Sequence, residues 1–177
     1  EFLKAYRIPS QLILSEVMSR NEDTIPDENG NFYDWLEIKN TGTTPLNLED
    51  YWLSDDGGNI RKWQFPAMTL EPGAYAIVFM SPDYTEPRGK SYLHANFALS
   101  ASGDVLYLSD TSGRILQKLS VPQLTAGISY GVSDDEATYY YFSAPTPGRA
   151  NDSSSRCKAY AEEPVFSTGG GFYSGPC

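Results

Sequence analysis

Short apolar runs recur along the chain between turn signals, and helical spacing is almost absent. The runs are LILSEVM (12–18), DWLEIK (34–39), YWLSD (51–55), IRKWQF (60–65), AYAIVFM (74–80), DVLYLSD (104–110), RILQKLSV (114–121), ISYGV (128–132) and YYYF (139–142). Among them lie Asp-Glu-Asn-Gly (27–30), Asp-Gly-Gly-Asn (56–59), Glu-Pro-Gly (71–73), Ala-Ser-Gly-Asp (101–104) and Thr-Ser-Gly (111–113). Gly and Asn supply the positive φ of tight turns, and Pro presets the φ of a residue entering one. Several short strands at this spacing predict a sandwich or barrel.

Where the alternation is clean it assigns faces. Leu36 and Ile38 point one way and Trp35, Glu37 and Lys39 the other; Trp63 and Phe65 share a face against Lys62 and Gln64. Ile115, Leu119 and Val121 form an inward face with Gln117 among them. Strands with one dry and one wetter face are what two packed antiparallel sheets require. Run 74–80 is apolar on both faces and predicts a central strand covered on both sides. DTSGR (110–114) predicts a hairpin, and 81–103 a long connection that returns near HANFALS (94–100). The acidic loop 133–138 and the proline-bearing APTPGRAN (144–151) close the pattern.

Composition narrows the partners. Hydrophobic residues make up 40%, which with 15 glycines is a normal globular share, and thirteen tyrosines suit half-buried strand surfaces. A formal charge of −10 argues against nucleic acid, which needs clustered Lys and Arg, and against anionic lipid. No run approaches the roughly 18 apolar residues of a membrane span, so no direct insertion is expected. The acidic surface suits a soluble protein that is secreted or held at the cell surface. Cys157 and Cys177 both lie in the tail, leaving the body free of thiols. A bridge between them would close a loop of about 20 residues in an oxidising compartment; the sequence leaves its formation open. The chain opens at Glu1-Phe2-Leu3 rather than at Met, as expected of a piece of a longer precursor.

Catalytic chemistry finds few residues. His94 is the one histidine, expected on the surface or beside a hairpin, and no G-x-S-x-G elbow accompanies it. One His with two tail cysteines does not make a usual zinc set, and no phosphate-loop pattern occurs. Carboxylates remain: Glu16, Asp34 and Glu37 lie on or beside strands. A pair lining a cleft would serve glycosidic hydrolysis, but scatter is expected among 23 acidic residues, and no catalytic residue is assigned. In DENGNFYD (27–34), Asp27, Asn29, Asn31 and Asp34 are the calcium candidates, and no other cofactor is expected. Gly30 precedes Asn31, so the EF-hand register fails, and the same residues are those a tight turn needs. Trp35, which shares its face with Glu37 and Lys39, is the one tryptophan read as a candidate for exposure and for stacking on a sugar. Packing is nevertheless the commoner fate of Trp in a sandwich.

Four segments taken together resemble the lamin-tail domain. They are LILSEVMSRN (12–21), YDWLEIKNTGTTPLNLEDYWLSDD (33–56), KWQFP with LEPGAYAIVF (62–79), and PTPGRAN (145–151). LHANFALSASGDVLYLSDTSGRIL (93–116) resembles the bacterial branch of the family. The resemblance implies an all-β, immunoglobulin-like antiparallel β-sandwich over residues 12–151. It also implies structural rather than catalytic roles for Glu16, Trp35, Glu37, Asn40, Trp52, Leu53, Ser54, Trp63, Phe65, Pro66, Pro72, Gly73 and Asn96. EEPVFSTGGGFYSGP (162–176) resembles the start of a chitobiase/β-hexosaminidase C-terminal-type module. The expected organisation is an N-terminal extension (1–11), the sandwich (12–151), a linker (152–161) and a truncated second module (162–177). The implied role is a non-catalytic interaction or spacer module of an exported, multi-domain bacterial surface protein, making protein contacts. The alternative is a carbohydrate-binding module that takes a cell-surface glycan on exposed aromatics. No rod heptads occur, so the nuclear role of lamins is not implied.

Overall fold

The structure is a computed structural model and describes residues 5–7, 10–85, 92–133 and 138–159. Its strands are β1 (Ala5–Arg7), β2 (Leu12–Met18), β3 (Trp35–Asn40), β4 (Leu46–Asn47), β5 (Tyr51–Ser54), β6 (Trp63–Gln64) and β7 (Thr69–Leu70). They continue with β8 (Tyr75–Met80), β9 (Leu93–Ala95), β10 (Asp104–Asp110), β11 (Ile115–Val121), β12 (Ser129–Val132), β13 (Tyr139–Phe142) and β14 (Arg156–Cys157). A five-stranded sheet runs β1-β11-β10-β5-β6 and a seven-stranded sheet β14-β13-β12-β2-β3-β8-β9, with a small β4-β7 ribbon beside them. Among the described residues, β8 with β9 is the one parallel pair. The expected all-β sandwich is what the chain forms.

Alternation builds the core between the sheets. Leu12, Leu14, Val17, Leu36, Ile38, Val78 and Met80 of the larger sheet pack with Leu53, Leu106, Leu108 and Leu119 of the smaller. Trp63 and Phe65 meet edge to face at 4.7 Å between ring centroids, as their shared face predicts. The 110–114 hairpin closes with the Asp110 N–H on the Arg114 carbonyl, and Gly113 takes the left-handed φ of 80° that its turn demands. Past this turn the inward face differs from expectation. A bulge sets Leu108 opposite Gln117 but Ser109 opposite Ile115, so Leu116 is skipped in the ladder. Leu116 therefore enters the core, and Ile115 is left half-buried. Gln117 does lie inside. Its Oε1 accepts from the Leu14 N–H at 3.0 Å, and its amide donates to the Tyr139 hydroxyl at 2.5 Å.

The seven-stranded sheet is also dry on its outer face. Met18, Trp35, Ile77 and Phe79 form a second cluster there, under Ile25, Tyr33 and Tyr92. Strand β8 thus has both faces covered, as its apolar run predicts. Trp35 is 0% exposed, which removes it as a platform for sugar. Its face does carry Glu37, but chain from the 19–34 connection and from Tyr92 folds across that face and shuts it.

Two segments read as peripheral carry strands. β1, in the N-terminal extension, pairs with β11, and β14, in the linker, pairs with β13. Cys157 is exposed on β14. Residues 134–137 of the acidic loop and 160–177, with Cys177 and the second module, lie outside the described residues.

Candidate functional site

The first cluster is a pair of acids. Pairing of β2 with β3 puts Glu16 directly opposite Glu37, and both are 0% exposed. The closing segment supplies their hydrogen bonds. Thr146 donates from N–H and hydroxyl to Glu16, each at 3.2 Å, and the Gly148 N–H donates to Glu37 Oε2 at 2.6 Å. Ser129 donates to Glu16, and Ser15 to Glu37 Oε1 at 2.6 Å. Asn151 then fastens the segment to the sheet by donating to the Val132 carbonyl at 2.7 Å. Gly131, opposite Glu16, is required for this fit. A Cβ there would sit 2.8 Å from the Ser15 carbonyl oxygen and 2.7 Å from the Asn151 amide. Burial pushes Glu37 up to about 8 against the hydrogen bonds from Ser15 and Gly148, and the charge of Glu16 adds to the rise. Burial likewise raises Glu16. A cavity of about 210 Å³ opens nearby beside Ser15, Lys39, Tyr75 and Asn151, but neither glutamate lines it. Fully buried, the pair is not open to a glycosidic bond, and its contacts are those of a structural latch.

The second cluster surrounds His94, which is not a surface residue. Its side chain is 7% exposed. Nδ1 lies 2.8 Å from Ser81 Oγ and Nε2 3.1 Å from Glu28 Oε2. Tyr84 stacks on the imidazole at 3.5 Å and donates to Glu28 Oε1 at 2.5 Å. Burial raises the Glu28 carboxyl, but hydrogen bonds from Tyr84, its own backbone and His94 outweigh it and hold the group below its ordinary value. Ser81, His94 and Glu28 contain the residue types of a nucleophilic triad. Ser81 is only 2% exposed, however, so its hydroxyl has no route to a substrate. Asp27 lies alongside, 4% exposed, and the three ligand atoms of Asp27, Glu28 and His94 all fall within 4.8 Å of one another.

The four calcium candidates do not converge. Asp27 Oδ1 is engaged by the N–H groups of Asn29 and Asn31, both at 2.8 Å, which makes it a turn residue. Asn29 and Asn31 are exposed, and the Asn31 amide donates to Asp27. Asp34 is raised by burial and accepts from the backbone of Asn21 instead. Sequence reasoning missed the set that does converge, because 66 residues separate Glu28 from His94.

The third feature is the outer face of the five-stranded sheet. Trp52 is half-buried with the Arg61 guanidinium 5.1 Å over its ring, and Lys118 lies 5.5 Å from the Tyr107 centroid. Arg61 also donates to the Thr111 carbonyl, which fixes it over the ring. On the other sheet Lys39 covers Tyr75 and Arg156 covers Tyr140. A ring face occupied by a cation is lost to sugar stacking. Alternation within YWLSD did carry the signal for Trp52, since an inward Leu53 sends Trp52 outward.

The sandwich thus holds its paired acids latched shut and its aromatics on a sheet face. Residues 8–123 match the family model of the Lamin Tail Domain, and the chain belongs to that family of immunoglobulin-like, non-catalytic domains. No curated protein matches the chain. The matched region stops short of β12, β13 and the 144–151 latch, which the hydrogen bonds to Glu16 and Glu37 nonetheless tie to the same sandwich.

Proposed function

We propose that the chain is a protein-interaction module whose contact surface is the outer face of the five-stranded sheet. The observation that carries this is the Trp52–Arg61 and Tyr107–Lys118 array. Trp, Tyr and Arg are the residue types that dominate interface energetics, and pairing them holds the side chains in place before a partner arrives. The chain's net charge of −10 keeps the module soluble and repels nucleic acid. We place the module in an exported, multi-domain bacterial surface protein. The acidic composition, a thiol-free body and the chitobiase-type resemblance of residues 162–176 support this setting.

Replacing Trp52 and Tyr107 together by Ala should cost no more than about 2–3 kcal/mol of stability, since both are only half-buried. Cross-linking in the native host, read by mass spectrometry, should show a partner at this face that the double variant loses. A glycan-array signal that the same substitutions abolish, with no protein cross-link, would replace the reading with the carbohydrate one. Fractionation of the host tests the setting: protein confined to the cytoplasm would refute export.

A further inference from the structure

We propose that Asp27, Glu28 and His94 form a binding site for one divalent transition-metal ion of the zinc class. The inference is independent of the sheet face described above. Three ligands from two places in the sequence meet here: one imidazole nitrogen and two carboxylates, all within 4.8 Å. With metal–ligand bonds of about 2.0–2.1 Å, neighbouring ligand atoms on one ion lie about 3 Å apart. His94 Nε2 and Glu28 Oε2 are 3.1 Å apart, so these two already stand at the required separation. The Asp27 carboxylate supplies the third ligand atom, within 4.8 Å of the other two. Its Oδ1 is committed to the turn, while Oδ2 has only the 3.3 Å contact from the Asn31 amide. The mixed nitrogen and oxygen donors suit zinc and its neighbours, whereas calcium and magnesium take oxygen alone.

Support from outside the three ligands points the same way. A metal-bound imidazole donates its other N–H to a fixed acceptor, and Ser81 Oγ stands 2.8 Å from Nδ1 to receive it. Tyr84 holds the imidazole plane by stacking and steadies Glu28 through the oxygen that does not face His94. Charge balance also favours a cation. Asp27 and Glu28 bring two carboxylates out of water, and among the described residues the ion pairs give Glu28 only His94 and Asp27 none. A divalent ion offsets both. It would join the 27–31 turn, the Ser81–Tyr84 turn and edge strand β9, and so act as a clasp on the chain that covers the second cluster.

The test uses the untagged full chain after treatment with chelator. Because His94 is the only histidine, its ring nitrogens give an unambiguous NMR signal in ¹⁵N-labelled protein. Zinc should bind at one ion per chain, raise the melting temperature and move the Nε2 resonance, with the ring proton on Nδ1 in the bound form. His94→Gln and Glu28→Gln should each weaken zinc binding by more than about tenfold. An Nε2 signal unmoved by excess zinc overturns the site, and this readout needs no variant to fold. Calcium binding in preference to zinc, or equal zinc affinity in the parent and both variants, overturns it too.

Discussion

Raising the pH from about 5 to about 8 is expected to lower the melting temperature by on the order of 10 °C. The cause is the buried pair Glu16 and Glu37. Glu37 is pushed up to about 8, and Glu16 is raised as well, both by burial above all. In the unfolded chain these carboxyls release their protons near their ordinary value of 4.5. Between those limits the folded state binds more protons than the unfolded one, so stability falls as pH rises. The stabilisation is full below the unfolded value and is lost through the folded one. Each retained proton costs about 1.4 kcal/mol per pH unit, or about 4 kcal/mol over three units. Asp110 works in the opposite sense at the acid end. Burial raises it, but its hydrogen bonds with Ser112 and Arg114 prevail and lower it, so its contribution fades as pH drops. The optimum should therefore lie near pH 5.

Glu37→Gln isolates the effect. The carboxamide oxygen can still accept from the Gly148 N–H, and the Ser15 hydroxyl can turn to accept from the new amide. The variant should lose most of the slope and be more stable than the parent at pH 8. Urea unfolding at pH 5, 6.5 and 8 measures both. A parent curve that is flat or rises with pH would remove the latch from the account. The same protonation sets how firmly residues 146–148 are held. Two ionised carboxylates on opposed strand positions repel, and the closing segment would then be the part that yields.

The limits of the sequence follow from which interactions are local. The doubly apolar run of β8 and the shared face of Trp63 and Phe65 were legible, because period-two alternation depends only on backbone geometry. The hairpin at 110–114 was legible from its Gly. Ile115 was misplaced because the residue skipped at the bulge breaks the alternation between Ile115 and Gln117, while Gln117, Leu119 and Val121 keep their face. Trp35 stayed open between packing and exposure for a different reason: alternation names the face of a strand but not whether another segment lies across it. The two candidate clusters depend on long separations. Glu16 meets Thr146 130 residues away, and Glu28 meets His94 after 66. No periodicity records such meetings. The family resemblance marked Glu16 and Glu37 as structural without showing what satisfied them.

Trp35→Ala is expected to cost about 3–5 kcal/mol, a large share of the roughly 5–15 kcal/mol that holds a domain together. The indole is fully buried against Met18, Ile77 and Phe79, so its removal leaves a void under the 19–34 chain that the rigid sheet below cannot fill. Trp35→Phe should behave quite differently. The Trp35 Nε1–H is buried without a hydrogen-bond partner, and an unsatisfied donor of this kind costs about 1–3 kcal/mol. Phenylalanine removes that donor while keeping most of the ring, so the lost volume and the relieved polar group oppose each other. The net change should be under about 2 kcal/mol. Chemical denaturation of the three proteins gives the order: parent and Phe close together, Ala far below. Hydrogen exchange locates the damage, which should concentrate in residues 19–34 and spare β10 and β11 on the other sheet. If Trp35→Ala cost no more than Trp52→Ala, the outer face of β3 would be open to solvent and the stacking role would return to consideration. The expected result instead assigns Trp35 to holding down the segment that carries Asp27 and Glu28. The Ala variant should accordingly bind zinc more weakly although it keeps all three ligands.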